Sequence, residues 1–65
     1  MLEEEYYGLL RRARRIGSNY DLVSWEEQRR QQEAFRRYLD QRFDSSDEDV
    51  RRLKIAVITG DEFEY

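Results

Sequence analysis

The sequence contains no cysteine, no histidine and no proline, and it has only three glycines in 65 residues. Without cysteine there is no disulfide, and without cysteine or histidine the chain lacks the usual ligands of structural zinc. The same absences exclude nucleophilic catalysis that relies on a histidine base. We therefore expect no enzymatic activity, no metal, no cofactor and no small-molecule substrate. The lack of cysteine is typical of cytoplasmic proteins, and we expect that location.

The chain also lacks any apolar run long enough to cross a membrane, so we expect no membrane partner. What it has is charge and aromatic side chains, because 42% of its residues are charged, 38% are hydrophobic and 14% are aromatic. Aromatic side chains bury large areas, and the scarcity of glycine and proline is unlike a linker. We expect a single domain over residues 1–65. A domain of this size without disulfide or metal needs tight packing or association.

A first helix is predicted from about Leu2 to Ile16, because apolar residues recur there at helical spacing. Its acidic first turn and its arginine-rich last turns match the helix dipole. Gly17 is expected to end the helix in a positive-φ conformation. The apolar positions are Leu2, Tyr6, Leu9, Ala13 and Ile16.

A second helix is predicted from Trp25 to about Phe43, because Ser24 and Glu27 have the spacing of a capping box. One face of this helix carries, in order, Trp25, Gln28, Gln32, Phe35, Leu39 and Phe43. We expect the apolar members of that face to form the core with Leu9, Ala13 and Ile16. The two glutamines need partners, because a buried amide without a hydrogen bond costs about 1–3 kcal/mol.

The C-terminal third of the chain supports two interpretations. Ser46 is expected to cap a third helix that runs from Asp47 to Thr59 and stops at Gly60. This predicts an all-α fold, a small three-helix domain made of a helical hairpin plus a third helix. The alternative is an α+β fold with a C-terminal β-hairpin, because residues 55–59 are largely β-branched and Gly60-Asp61 is a two-residue turn signal.

Charge is unevenly distributed along the chain, and this bears on partners. Residues 11–42 are basic overall, while the segments before and after them are acidic. The densest basic cluster could contact an acidic protein or a nucleic acid, but an overall acidic balance is unusual for a nucleic-acid-binding protein. The basic cluster consists of Arg11, Arg12, Arg14 and Arg15. Residues 61–65 alternate acidic and aromatic side chains, so Phe63 and Tyr65 are candidates for a docking tail.

Gln28 and Gln32, which interrupt the apolar face of the second predicted helix, lead to our hypothesis about function. A second protein surface could supply their hydrogen-bond partners, and a homodimer related by two-fold symmetry would do so economically. We therefore expect a non-enzymatic protein-interaction module, a regulator or inhibitor that binds another protein. The alternatives are a small DNA-binding transcriptional regulator and a structural oligomer component. The expected partner-binding residues are Trp25, Gln28, Arg29, Gln32, Phe35 and Arg36.

Overall fold

The computed structural model describes residues 1–18 and 23–60, which form three helices and no strand. Helix α1 spans Glu3–Gly17, α2 spans Trp25–Arg42 and α3 spans Glu48–Thr59. The all-α prediction is confirmed. The alternative C-terminal hairpin is not supported, because residues 55–59 belong to α3. The proposed docking residues Phe63 and Tyr65 lie outside the described residues.

The three helices form a small up-down-up bundle in which α3 packs chiefly against α1. Helices α1 and α3 run in the same direction, and their C-terminal ends meet. Helix α2 runs the other way, since Gln28 near its start contacts the last residue of α1. Near the other end of α2, Asp40 accepts a hydrogen bond of 2.6 Å from the ammonium group of Lys54 in α3. All three helices therefore contribute to one core.

Among the described residues, ten apolar side chains are buried in the core, and they confirm most of the predicted positions. Ile16 and Phe43 are only partly buried and pack against its edge. The prediction for Trp25 is wrong, because its side chain is 68% exposed. Trp25 lies one helical turn before Gln28, which already contacts the end of α1, so the neighbouring helix does not extend far enough to cover it. The core residues are Tyr6, Leu9, Leu10, Ala13, Phe35, Leu39, Val50, Leu53, Ala56 and Val57.

The start of α1 also differs from the prediction. Leu2 is 75% exposed and occupies the N-cap position in extended backbone, so it precedes the helix instead of contributing to its apolar face. A residue at this position lies outside the first helical turn, and its side chain does not follow the helical periodicity that places Tyr6 and Leu9 in the core.

The two glycines at the helix ends have different roles. Gly60 ends α3 as predicted, with a φ of 77° in the left-handed region that favours glycine. The prediction of a positive φ at Gly17 is wrong, because Gly17 is the last residue of α1 and among the described residues only Gly60 has a positive φ. Gly17 is needed for space. A Cβ atom there would lie 2.5 Å from the Gly60 nitrogen and 2.7 Å from the Ala56 oxygen.

The N-cap of α3 is Asp47, the residue after the predicted Ser46. Ser46 does not cap the helix, because its backbone N–H and its hydroxyl both donate to a carboxylate oxygen of Asp44, at 2.9 and 2.8 Å. Asp47 is the N-cap, and its carboxylate accepts from the backbone N–H of Asp49 at 2.9 Å. The hydrogen bond from the Ser46 backbone N–H, and to a lesser extent the one from its hydroxyl, holds the pKa of Asp44 below its ordinary value.

The contact between the two helix ends predicts opposite effects of alanine at two glycines. Gly17→Ala should destabilise the fold by about 1–3 kcal/mol or more, because the added methyl group would meet backbone atoms that cannot move independently. Gly8→Ala should stabilise it by roughly 0.5–1 kcal/mol, since Gly8 lies within α1 and a Cβ there meets nothing within 4 Å. Urea unfolding measures both, and equal effects would contradict the contact.

Candidate functional site

Gln28 and Gln32 on α2 form hydrogen bonds with the C-terminal ends of the other two helices. Gln28 Nε2 donates to the carbonyl oxygen of Gly17 at 3.3 Å and to that of Ile16 at 3.4 Å. One turn later, Gln32 Nε2 donates to the carbonyl oxygen of Val57 at 3.1 Å. Carbonyl groups in the last turn of a helix have no donor within the helix, so they need such partners. The amides that prompted the dimer hypothesis thus find acceptors within the chain.

Removing one of these amides without changing side-chain size tests its role. Gln28→Met should destabilise the protein by about 1–3 kcal/mol, because the side chain is buried and its hydrogen bonds to the carbonyl groups of Ile16 and Gly17 would be lost. Gln41→Met is the matched control, since Gln41 is exposed on the same helix. Urea unfolding should show a near-neutral effect for the control, and similar effects of the two variants would refute the capping role.

The predicted partner-binding set on α2 is divided between the interior and the surface. Phe35 is 1% exposed and Gln28 7% exposed, so both side chains support the fold from inside. Gln32 is half-buried, whereas Arg36 is exposed. Trp25 is exposed, and the guanidinium carbon of Arg29 lies 5.2 Å from the centre of its ring.

The predicted basic cluster is also divided by the fold. Arg12 faces α2, where its guanidinium carbon lies 5.6 Å from the ring centre of Phe35 and 5.7 Å from that of Tyr38. This cation–π arrangement covers the seam between α1 and α2. The other three arginines lie elsewhere on α1 and line an open surface cavity, so the four do not act as one patch.

That cavity, which we call the arginine groove, has a volume of about 590 Å³ and follows the exposed side of α1 to the end of α3. Sequence reasoning missed its non-arginine members. A usable signal was present, because Tyr7, Arg11, Arg14 and Ser18 are spaced by four, three and four residues and therefore share one helix face. The groove is lined by Tyr7, Leu10, Arg11, Arg14, Arg15, Ser18 and Gly60.

The arginines of the groove carry charge that the described part of the chain does not neutralise by pairing. Within residues 1–18 and 23–60, the ion pairs are Arg29–Glu33 at 3.7 Å, Arg30–Glu27 at 3.5 Å and Lys54–Asp40 at 2.6 Å. None involves the groove. The C-terminal end of α1 attracts nearby cations through its dipole, but three like charges on one helix side also repel each other. The groove therefore favours an anionic ligand.

The groove also has an apolar component. Tyr7 is 51% exposed, and its ring stands edge-on to that of Tyr6 at 5.6 Å between centres. Leu10 is only 4% exposed and anchors this wall to the core. The hydroxyl of Ser18 donates to the Arg14 carbonyl oxygen at 2.7 Å, which holds the end of the helix in place. An aromatic surface and cationic groups are thus presented together.

Other kinds of site find no support in the part of the chain that the structure describes. No group of three or more acidic residues there is arranged to hold a metal ion. No helix in the same segments combines the length and apolar character needed to cross a membrane. The chain matches no protein-family model, no curated protein and no solved structure. The arginine groove is therefore the candidate functional site.

Proposed function

We propose that this protein is a small, non-enzymatic interaction module that binds an acidic segment of another protein in the arginine groove. By binding that segment, the protein would act as a regulator or inhibitor of its partner. We further propose that the protein acts in the cytoplasm. The observation that carries the proposal is the grouping of three arginines without ion-pair partners among the described residues beside the half-exposed Tyr7.

The chemistry of the groove selects carboxylates. A guanidinium group presents a planar fork of N–H donors that matches a carboxylate, and its charge persists at any physiological pH. Arg11 and Arg14 lie three residues apart on one helix face, and Arg15 lies beside them on the following turn. An extended acidic peptide that runs along α1 could therefore meet these donors in succession.

Magnitudes indicate that acidic groups alone are insufficient. Exposed ion pairs are worth about 0–1 kcal/mol each, so three of them supply at most roughly 3 kcal/mol, well short of the about 8 kcal/mol of a micromolar complex. An aromatic side chain that buries about 150 Å² adds about 4 kcal/mol. Tyr7, which is 51% exposed, supplies the surface for such a contact. The preferred ligand is therefore acidic and aromatic.

A DNA-binding regulator remains the main alternative, because arginines also bind phosphate. Two features favour the protein ligand. The chain carries a net charge of −3, which repels a long polyanion. The helix that presents the arginines begins with three consecutive glutamates, Glu3, Glu4 and Glu5, so a duplex lying along it would meet acidic side chains. A short acidic segment confined to the groove would avoid them.

Self-association into a structural oligomer is a second candidate, and Trp25 favours it. Tryptophan and arginine are enriched among the residues that dominate binding energies, and here an exposed tryptophan has Arg29 stacked on its ring. The rest of the outward face of α2 opposes this candidate, because it is mainly charged and offers little apolar area to bury. Light scattering over a range of concentrations would detect an oligomer.

The groove proposal predicts which arginines matter. A short labelled peptide of alternating glutamate and phenylalanine should bind the wild-type protein, and Arg11→Gln with Arg14→Gln should weaken binding by roughly tenfold or more. Each lost contact removes a charged donor from the groove. Fluorescence anisotropy at physiological salt measures the dissociation constants.

The matched control is Arg30→Gln with Arg37→Gln, which removes the same charge from exposed positions on α2. Its peptide affinity should stay within about twofold of wild type, because neither residue lines the groove. Equal losses in the two double variants would contradict a specific groove. Tighter binding of a duplex DNA than of the peptide, lost in the groove variant alone, would favour the DNA-binding alternative.

A further inference from the structure

The chain leaves α3 at the arginine groove. Gly60 ends the helix in the left-handed conformation and is itself one of the residues that line the groove. The five residues that follow are Asp61, Glu62, Phe63, Glu64 and Tyr65. They combine carboxylates with aromatic rings, which is the ligand chemistry that the groove favours. The position of Gly60 thus puts a suitable ligand next to the groove.

The length of this segment matches the groove. Five residues in extended conformation span about 17 Å, at 3.3–3.6 Å per residue. The α1 wall from Ser18 back to Tyr7 is about 16 Å long, at 1.5 Å per residue. A segment that starts at Gly60 beside Ser18 could therefore run the whole way to Tyr7.

We propose that residues 61–65, which lie outside the described residues, bind in the arginine groove of their own chain and compete there with the acidic partner. The carboxylates of the segment pair with Arg11, Arg14 and Arg15, and its aromatic rings pack on the exposed ring of Tyr7. This inference rests on the proposed function, because it gives the same groove an intramolecular competitor.

Effective concentration decides whether such a contact matters. A ligand attached to its site by a short segment is present at a millimolar effective concentration, so even a contact with a millimolar dissociation constant is substantially occupied. The partner's apparent association constant equals its intrinsic value multiplied by the fraction of molecules whose groove is free. Loss of the intramolecular contact should therefore raise affinity for an acidic, aromatic peptide roughly twofold if the dissociation constant of the contact equals the effective concentration, and about tenfold if it is ten times lower.

The experiment uses the full chain and two readouts. In the NMR spectra of the wild-type protein, nuclear Overhauser effects should connect the Phe63 or Tyr65 ring to the side chains of Leu10 or Tyr7. In the variant Glu62→Lys with Glu64→Lys these effects should disappear, and the labelled glutamate–phenylalanine peptide should bind several-fold more tightly. The control is Glu26→Lys with Glu33→Lys, the same charge change on the exposed face of α2.

The outcomes separate this inference from the proposed function. The wild-type spectra could lack nuclear Overhauser effects between the Phe63 or Tyr65 ring and the groove, while the wild type and the Glu62→Lys/Glu64→Lys variant bind the peptide equally well. That result would overturn the intramolecular contact and leave the groove as a binding site. If the effects are present but the peptide binds neither protein, the contact stands and the proposed function is overturned. An affinity gain as large in the control variant would show a general charge effect and would also overturn the inference.

Discussion

The ends of α1 and α3 meet where Gly17 lies against the backbone at Gly60, and the other features of the fold depend on this contact. A Cβ atom at Gly17 would come within 2.7 Å of three backbone atoms of α3 and its cap, so the helices can approach this closely only through a glycine. The contact brings the C-terminal carbonyl groups of the two helices together. Gln28 and Gln32, one helical turn apart on α2, supply the donors for both sets. The polar interruption in the apolar face of α2 is therefore an intramolecular cap.

The exposed faces of α1 and α2 differ in the side chains that surround their arginines. On α2, Arg29 and Arg30 are partnered by neighbouring glutamates, and Trp25 is the one large exposed apolar side chain. Two further arginines of α2 form no ion pair within the described segments, but they line a shallow cavity together with two carboxylates. That cavity is lined by Glu33, Arg36, Arg37 and Asp40. On α1, the arginines of the groove have no such partners among the described residues, and an aromatic ring lies beside them. The dipole of α1 explains why basic residues are tolerated at its end. It does not require three of them around one cavity.

The small size of the domain makes these polar contacts important for stability. Residues 1–18 and 23–60 contribute ten buried apolar side chains to the core, and domains of this length have only a few kcal/mol to spare. Arg12 adds to the core by covering Phe35 and Tyr38 on the α1–α2 seam. Because the buried amides find acceptors within the chain, hydrogen bonding at Gln28 no longer requires a second subunit. Association would then have to come from the exposed surfaces.

Local patterns in the sequence determined the helices themselves. The apolar spacing, the capping box at Ser24 and the stop at Gly60 predicted three helices and most of the core, because these signals depend on residues within a turn or two of each other. The same local patterns misplaced Leu2 and Trp25, whose exposure depends on where neighbouring helices begin and end.

The function of the glutamines, the need for glycine at position 17 and the division of the arginines were decided only by the tertiary structure. Each depends on atoms far apart in the chain. Gln32 binds a carbonyl group 25 residues away, and Gly17 contacts Gly60. Periodicity places a residue on a face of its helix, but it does not say what lies opposite. For this protein, the sequence determined which elements form, and packing of those elements determined which polar residues hold the bundle together and which remain exposed.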